Sequence, residues 1–380
     1  MEYYQSLEYE LGQSIADLVD NCYDAGASLI DVRIGKDRED RLYVRVLDNG
    51  DGMSKDELSK AMSLGTSRDR DDSELGLFGI GMKLSSLSQA NQVTIFSRKG
   101  SDVAIRRIDS SYIKSENVNV IMKTSTGSEI FDQSSDLMIE DDWTTMVLLE
   151  EINEERYRTY DLDRLDAIDK ELRRIRIHLG LTFQRIIEKW PDRKLTFQGT
   201  FVDPIDPMMR NEKDHITGLV TNKERISLEI DGEKISVRTD LFIVPARKLR
   251  QESRKSNQCE KGYLGARDMQ GIYLYRNDRL IQYGDWHRLF GKAVDEHTKL
   301  GKISIDIPPS RWKWFGLNPT KTGMRLPDEF MRKLDDSVKK HRKWGAINKG
   351  REMAFIHAAK HRYDKEGSPA RVDKIHKSRT

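Results

Sequence analysis

The stretch LGQSIADLVDNCYDAGA, residues 11–27, decides how the rest of the chain reads. Leu11, Ile15, Leu18, Val19 and Cys22 recur at three- and four-residue spacing, the apolar stripe of a helix packed on a core. Asp17 and Asn21 stand four apart, so they lie one above the other on a different edge of that helix. Such a pair has two readings. It is either a solvated helix edge, or a carboxylate and an amide placed to activate a water and complete a metal shell. The glycine motifs downstream bear on the choice.

Working outward, Ile30, Val32 and Ile34 alternate with polar residues, as do Leu42, Val44 and Val46, with a polar turn between. This predicts a β-hairpin with one buried face. The glycine-punctuated turn Asp48-Asn49-Gly50-Asp51-Gly52 follows, and then Ser54-Lys55-Asp56-Glu57, a capping box that should open a short helix over 54–63. Residues 64–74 are charged and aperiodic and read as a loop. Gly76-Leu77-Phe78-Gly79-Ile80-Gly81-Met82-Lys83 then leads into an apolar-periodic helix, followed by strand-like runs at 93–97, 103–108, 118–123 and 145–150. The sum is a layered domain of helices and strands over 1–155.

Residues 162–187 carry a long helical pattern within a connecting segment, 156–192, ended by Trp190-Pro191. A second mixed domain is expected over 193–327, with strands at 226–230, 235–238, 241–244, 272–275 and 303–307. From 328 to 380 the chain reads as a helical, basic tail.

Composition narrows the class. A chain of 380 residues holds two compact domains, and 34% charged with 37% hydrophobic residues describes a polar globular protein, not a disordered one. No apolar run approaches the roughly 20 residues of a membrane span, and MEYYQSLEYE lacks the pattern of a signal or transit peptide. Cys22 and Cys259 are too few for a disulfide framework, so a cytoplasmic setting with reduced thiols is expected. The net charge of +2 hides an asymmetry: 331–380 holds 15 Lys and Arg against 6 Asp and Glu (+9), and the remainder 50 against 57 (−7). A basic tail points to nucleic acid, or else to a solvated or partner-binding segment.

Three elements therefore stand in order: Asp17 and Asn21 on a helix, Asp48-x-Gly50-x-Gly52 after a strand, and Gly76-x-x-Gly79-x-Gly81 opening a helix. Glycines serve where backbone approaches a ligand closely or takes positive φ. A helix that starts at a glycine-rich loop offers unpaired N–H groups to phosphates. A buried Asp48 can accept from an exocyclic amine and so select adenine over guanine.

This arrangement resembles the GHKL ATPases, whose fold is the Bergerat fold. Residues 16–27 look like the N box in its MutL and MORC form, and 48–53 like the adenine box. Residues 76–83 look like the phosphate box, and Thr144-Thr145-Met146-Val147 like the final threonine motif. The resemblance implies an α+β fold: a sandwich with helices on one face of a mixed, mainly antiparallel sheet, followed by an S5-like transducer domain. It implies ATP and Mg²⁺ as ligands. Asn21 would ligate Mg²⁺, and Asp48 would read adenine within a pocket that includes Gly50, Gly52, Met53 and Thr145. Gly76, Gly79, Ile80, Gly81, Met82 and Lys83 would cradle the phosphates, with 64–75 as a lid.

Asp17 holds the general-base position, where the MutL and MORC group has Glu. One missing methylene draws the carboxylate back by about 1.5 Å, which implies slow hydrolysis. Lys321, in Leu317-Asn318-Pro319-Thr320-Lys321, is the candidate transducer lysine that reports the γ-phosphate. Residues 316–322 lack the glycine directly before the lysine and are not a Walker P-loop. The resemblance further implies an ATP-dependent homodimer acting in DNA repair, restriction or anti-phage defence, with DNA at the basic tail and a nuclease or helicase partner. An ATP-dependent protein remodeller and a non-hydrolysing ATP-binding module are the alternatives.

Overall fold

In a computed structural model, the residues described are 10–62, 74–75, 81–110, 143–152, 164–210, 220–245, 269–287, 289–290, 295–316, 326–344 and 352–366. They form two compact units, Met1–Pro204 and Ile205–Thr380.

The first unit opens with α1 (Leu11–Asp24), started by a hydrogen bond from the Glu10 N–H to Gln13 Oε1. Next come β1 (Leu29–Lys36) and β2 (Leu42–Asp48), the expected hairpin, in antiparallel register with Ile30 opposite Asp48. Helix α2 (Lys55–Met62) begins at the expected capping box: Glu57 Oε2 accepts from the Ser54 N–H at 2.8 Å, and Ser54 Oγ from the Glu57 N–H at 3.3 Å. Then follow α3 (Gly81–Gln89), β3 (Ala90–Lys99), β4 (Asp102–Asp109), β5 (Thr145–Ile152), α4 (Arg164–Thr182), α5 (Gln184–Lys189), β6 (Lys194–Phe197) and β7 (Thr200–Phe201). The expected strand at 118–123 lies outside the described residues.

The seven strands run β4-β3-β5-β2-β1-β6-β7. Every pairing is antiparallel except that of β1 with β6. Ile15, Leu18 and Val19 of α1, Leu58 of α2, Leu87 of α3 and Leu179 of α4 close one core with Val32, Val46, Ile95 and Val147 of the sheet. The opposite face carries a smaller cluster of Leu47, Phe96, Trp143, Met146 and Leu148. This is the mixed, mainly antiparallel α+β layout that the sequence implies.

Two local expectations change. The helix over 162–187 breaks at Phe183 (φ −103°, ψ 10°), which turns a fully buried ring onto Tyr23 with centroids 5.4 Å apart. Residues from Lys194, expected to begin the second domain, instead complete the first sheet, because β6 pairs in parallel with β1 over Leu29–Val32.

The second unit is a five-stranded sheet in the order β11-β10-β12-β9-β8, from β8 (Val220–Ile230), β9 (Glu233–Ile243), β10 (Gly271–Arg276), β11 (Arg279–Gly284) and β12 (Gly301–Asp306). The strands expected at 235–238 and 241–244 are one, because Thr239 and Asp240 between them pair with Ile305 and Ser304 of β12 and with Glu224 and Lys223 of β8. Helices α6 (Asp328–Lys339) and α7 (Phe355–Glu366) flank a two-stranded ribbon, β13 (Arg342–Lys343) with β14 (Glu352–Met353). Phe330, Leu334, Trp344, Phe355 and Tyr363 are all buried. The described parts of the segment read as a tail, 328–344 and 352–366, therefore bury an apolar face that periodicity alone leaves without a partner. No helix among the described residues is long and apolar enough to cross a membrane.

Candidate nucleotide site

The site forms where the C-terminal end of α1 meets the turn after β2. Asp48 ends β2 opposite Thr145 of β5, and its carboxyl is 4% exposed. Burial pushes its pKa up to about 6. The Gly50 N–H (2.9 Å from Oδ1), Cys22 and Thr144 hydrogen-bond around it and offset part of that rise. A carboxylate kept dry in this way is poised to accept a proton or a hydrogen bond at physiological pH.

The glycines of the turn have a more local reason than ligand approach. A Cβ on Gly50 would lie 2.6 Å from the Ala25 carbonyl oxygen, so this glycine lets the turn dock on the end of α1. A Cβ on Gly52 (φ +67°) would lie 1.9 Å from the Arg98 carbonyl oxygen. The Asp51 N–H donates to Ala25 O at 2.9 Å, and Asn49 Oδ1 accepts from the Ser28 and Leu29 N–H groups at 2.9 and 2.8 Å. Thr144 closes the far side, with Oγ1 donating to Gly50 O at 2.7 Å and its N–H to Asp48 O at 2.9 Å.

On α1, Asp17 is 4% exposed, which removes the reading of a solvated helix edge. Asn21 is half-buried, and its Nδ2 donates to Asp17 O at 2.9 Å. That commits the nitrogen to the helix and makes Oδ1 the side-chain atom suited to a cation. Asp24 Oδ1 accepts from the Leu75 N–H at 2.7 Å, tying the residue before the phosphate box to the end of α1. Gly81 is the first residue of α3, with Met82 and Lys83 in its first turn. Gly76, Gly79, Ile80 and Lys321 lie outside the described residues.

Ser97, which sequence reasoning did not single out, lies among the candidate site residues. It is fully buried on β3, and its Oγ accepts from the Met53 N–H at 2.8 Å and meets Thr145 Oγ1 at 3.1 Å. Met53 and Thr145, quoted from separate motifs, are thus joined through one hydroxyl. The available signal is a Ser directly after the apolar pair Ile95-Phe96.

No group of three or more His, Cys, Asp and Glu among the described residues could hold a metal. Mg²⁺ usually takes one or two protein oxygens and completes its shell with phosphates and water, so the single oxygen of Asn21 fits that ion when it arrives with a nucleotide.

Residues 9–143 match the family model for histidine kinase-, DNA gyrase B- and HSP90-like ATPases. The chain is 30% identical over 118 residues to mouse MORC family CW-type zinc finger protein 3, a match covering 29% of this chain and 12% of that protein. It is 35% identical over 114 residues to the DNA mismatch repair protein MutL of Aliivibrio fischeri, covering 29% of this chain and 16% of MutL. The matched stretches thus span less than a fifth of either relative. The solved N-terminal domain of a DNA repair protein superposes with a TM-score of 0.46 at 16% identity, over 85% of this chain and 92% of that one. Residues 9–143 of the N-terminal unit thus carry a GHKL ATPase domain.

Proposed function

We propose that this protein is a Mg²⁺-dependent ATP-binding switch that hydrolyses ATP slowly and couples nucleotide-driven closure of a homodimer to DNA transactions. The observation that carries this reading is the buried Asp48 carboxyl at the end of β2, whose following turn docks on the end of α1, the helix that carries Asp17 and Asn21. Asp48 accepts the adenine amine, with Thr145 and Ser97 beside it. Asn21 Oδ1 would hold the Mg²⁺, whose charge would offset that of the phosphates. Asp17 takes the proton of the attacking water, from a reach one methylene shorter than Glu gives. The resemblance assigns the phosphates to the backbone at the start of α3 and to Lys83, the lid to residues 64–75 and the γ-phosphate sensor to Lys321.

DNA is the favoured substrate. The relatives named above include a mismatch repair protein, and residues 367–380 hold four Lys and Arg against one Asp. The test has two readouts. Phosphate release by the wild type should exceed that of Asp17→Ala, and sedimentation should show a dimer with a non-hydrolysable ATP analogue but not without it. Equal release rates would remove Asp17 from the chemistry, and identical sedimentation would remove the closure step. Salt-dependent DNA retention, compared between the full chain and one ending at Glu366, tests the substrate. Client binding without DNA affinity would move the reading to protein remodelling.

A further inference from the structure

Asp48 of β2, Thr145 of β5 and Ser97 of β3 stand opposite one another in register, so their side chains form one polar row across neighbouring strands. Two residues further along, the same face carries Val46, Val147 and Ile95 of the core under the helices. The row is the polar end of an otherwise apolar face. Ser97 is fully buried in it, so it can act on a ligand only through its neighbours.

The Ser97 hydroxyl has one proton to give. Its Oγ accepts from the Met53 N–H at 2.8 Å. Of the two acceptors in reach, the Thr144 carbonyl oxygen is the farther, at 3.4 Å, and it already accepts the Arg98 N–H at 2.8 Å. Thr145 Oγ1, at 3.1 Å, is the better partner for the proton. A Thr145 oxygen that accepts from Ser97 keeps its own proton to donate. Beside the Asp48 carboxylate, the row then offers an acceptor next to a donor.

We propose that Ser97 is a positioning residue that makes Thr145 a donor, so that Asp48 and Thr145 together read the 6-amino group and the N1 acceptor of adenine. The inference rests on the proposed adenine reading and adds the polarity of Thr145 to it. A 6-oxopurine reverses both atoms, with a carbonyl at position 6 and an N–H at N1. Without the Ser97 hydroxyl, Thr145 turns to serve either pattern. The N1 contact then loses about fivefold in binding, the worth of one neutral hydrogen bond.

Equilibrium titration of the full chain with Mg²⁺ and ATP, inosine triphosphate or 1-deaza-ATP tests this. The last keeps the amine and replaces N1 by C–H. The wild type should prefer ATP over 1-deaza-ATP about fivefold. Ser97→Ala and Thr145→Val should each bring that ratio close to one. The double variant should lower it no further, because Ser97 acts through Thr145. Ser97→Thr keeps the hydroxyl and should keep the ratio. Should Ser97→Ala not fold, Ser97→Cys, a weaker donor of similar shape, takes its place with the same expected loss. A ratio that either single variant leaves at the wild-type value overturns the inference alone. A purely structural role for Ser97 has that signature, since it weakens both nucleotides together. A wild type that binds ATP and inosine triphosphate equally overturns the adenine reading, and this inference with it.

Discussion

Lys302 offers the sharpest test of the structure outside the nucleotide site. It lies on β12 with its side chain fully buried, and its Nζ donates to Met269 O at 2.8 Å and to Tyr273 Oη at 3.0 Å. Burial pushes its pKa down to about 7 from the ordinary 10.5, with Asp206 opposing part of the fall. The unfolded chain therefore binds more protons than the folded one between about pH 7 and 10.5, and stability rises with pH across that window. A shift of this size costs about 4 kcal/mol at pH 7 and about 2 kcal/mol at pH 9. Lys302→Met keeps an unbranched stem in the same space. Met269 O is not orphaned, because Tyr273 Oη also donates to it at 2.5 Å. Allowing about 1 kcal/mol for the lost hydrogen bonds, the Met variant should be about 3 kcal/mol more stable at pH 7. That advantage should shrink by about 2 kcal/mol at pH 9. Urea unfolding followed by the buried Trp286 and Trp344 of the same unit reads this directly. A stability difference between wild type and variant that is equal at the two pH values would refute the argument.

Other outcomes follow from the nucleotide site and its supports. The folded Asp48 carboxyl holds its proton up to about pH 6, above the ordinary 3.8, so it contributes a loss of stability as pH rises from about 4 to 6. Asp48→Asn should remove that slope, stabilise the nucleotide-free protein by about 3 kcal/mol at pH 7 and abolish ATP preference; thermal unfolding and nucleotide titration check the two halves. Gly52→Ala places a methyl 1.9 Å from the Arg98 carbonyl oxygen at positive φ, and should cost about 3 kcal/mol, seen as a lower denaturant midpoint. Ser54→Ala removes the hydroxyl of the α2 capping box, and a loss of about 1 kcal/mol in the same assay is expected.

Wherever a structural feature depends on neighbours in the chain, the amino-acid order was enough to read it. The α1 stripe, the β1–β2 hairpin, the Ser54–Glu57 cap and the order of the glycine motifs all follow from periods of 3.6 and 2 and from turn chemistry over four or five residues. Asp48 was legible as a site residue because a carboxylate before a glycine turn at the end of an apolar strand has few structural uses. Gly50 and Gly52 were legible as necessary, though for a reason nearer home, the Ala25 and Arg98 carbonyls.

Only tertiary structure decided the rest. The return of β6 beside β1, the continuity of β9 through Asp240 between β8 and β12, and the burial of α6 and α7 each depend on a partner far along the chain. So does the Ser97 bridge between Met53 and Thr145. Periodicity states which face of an element seeks cover; it carries no record of which distant surface supplies it. That choice is made by burial and hydrogen-bond satisfaction summed over the folded chain.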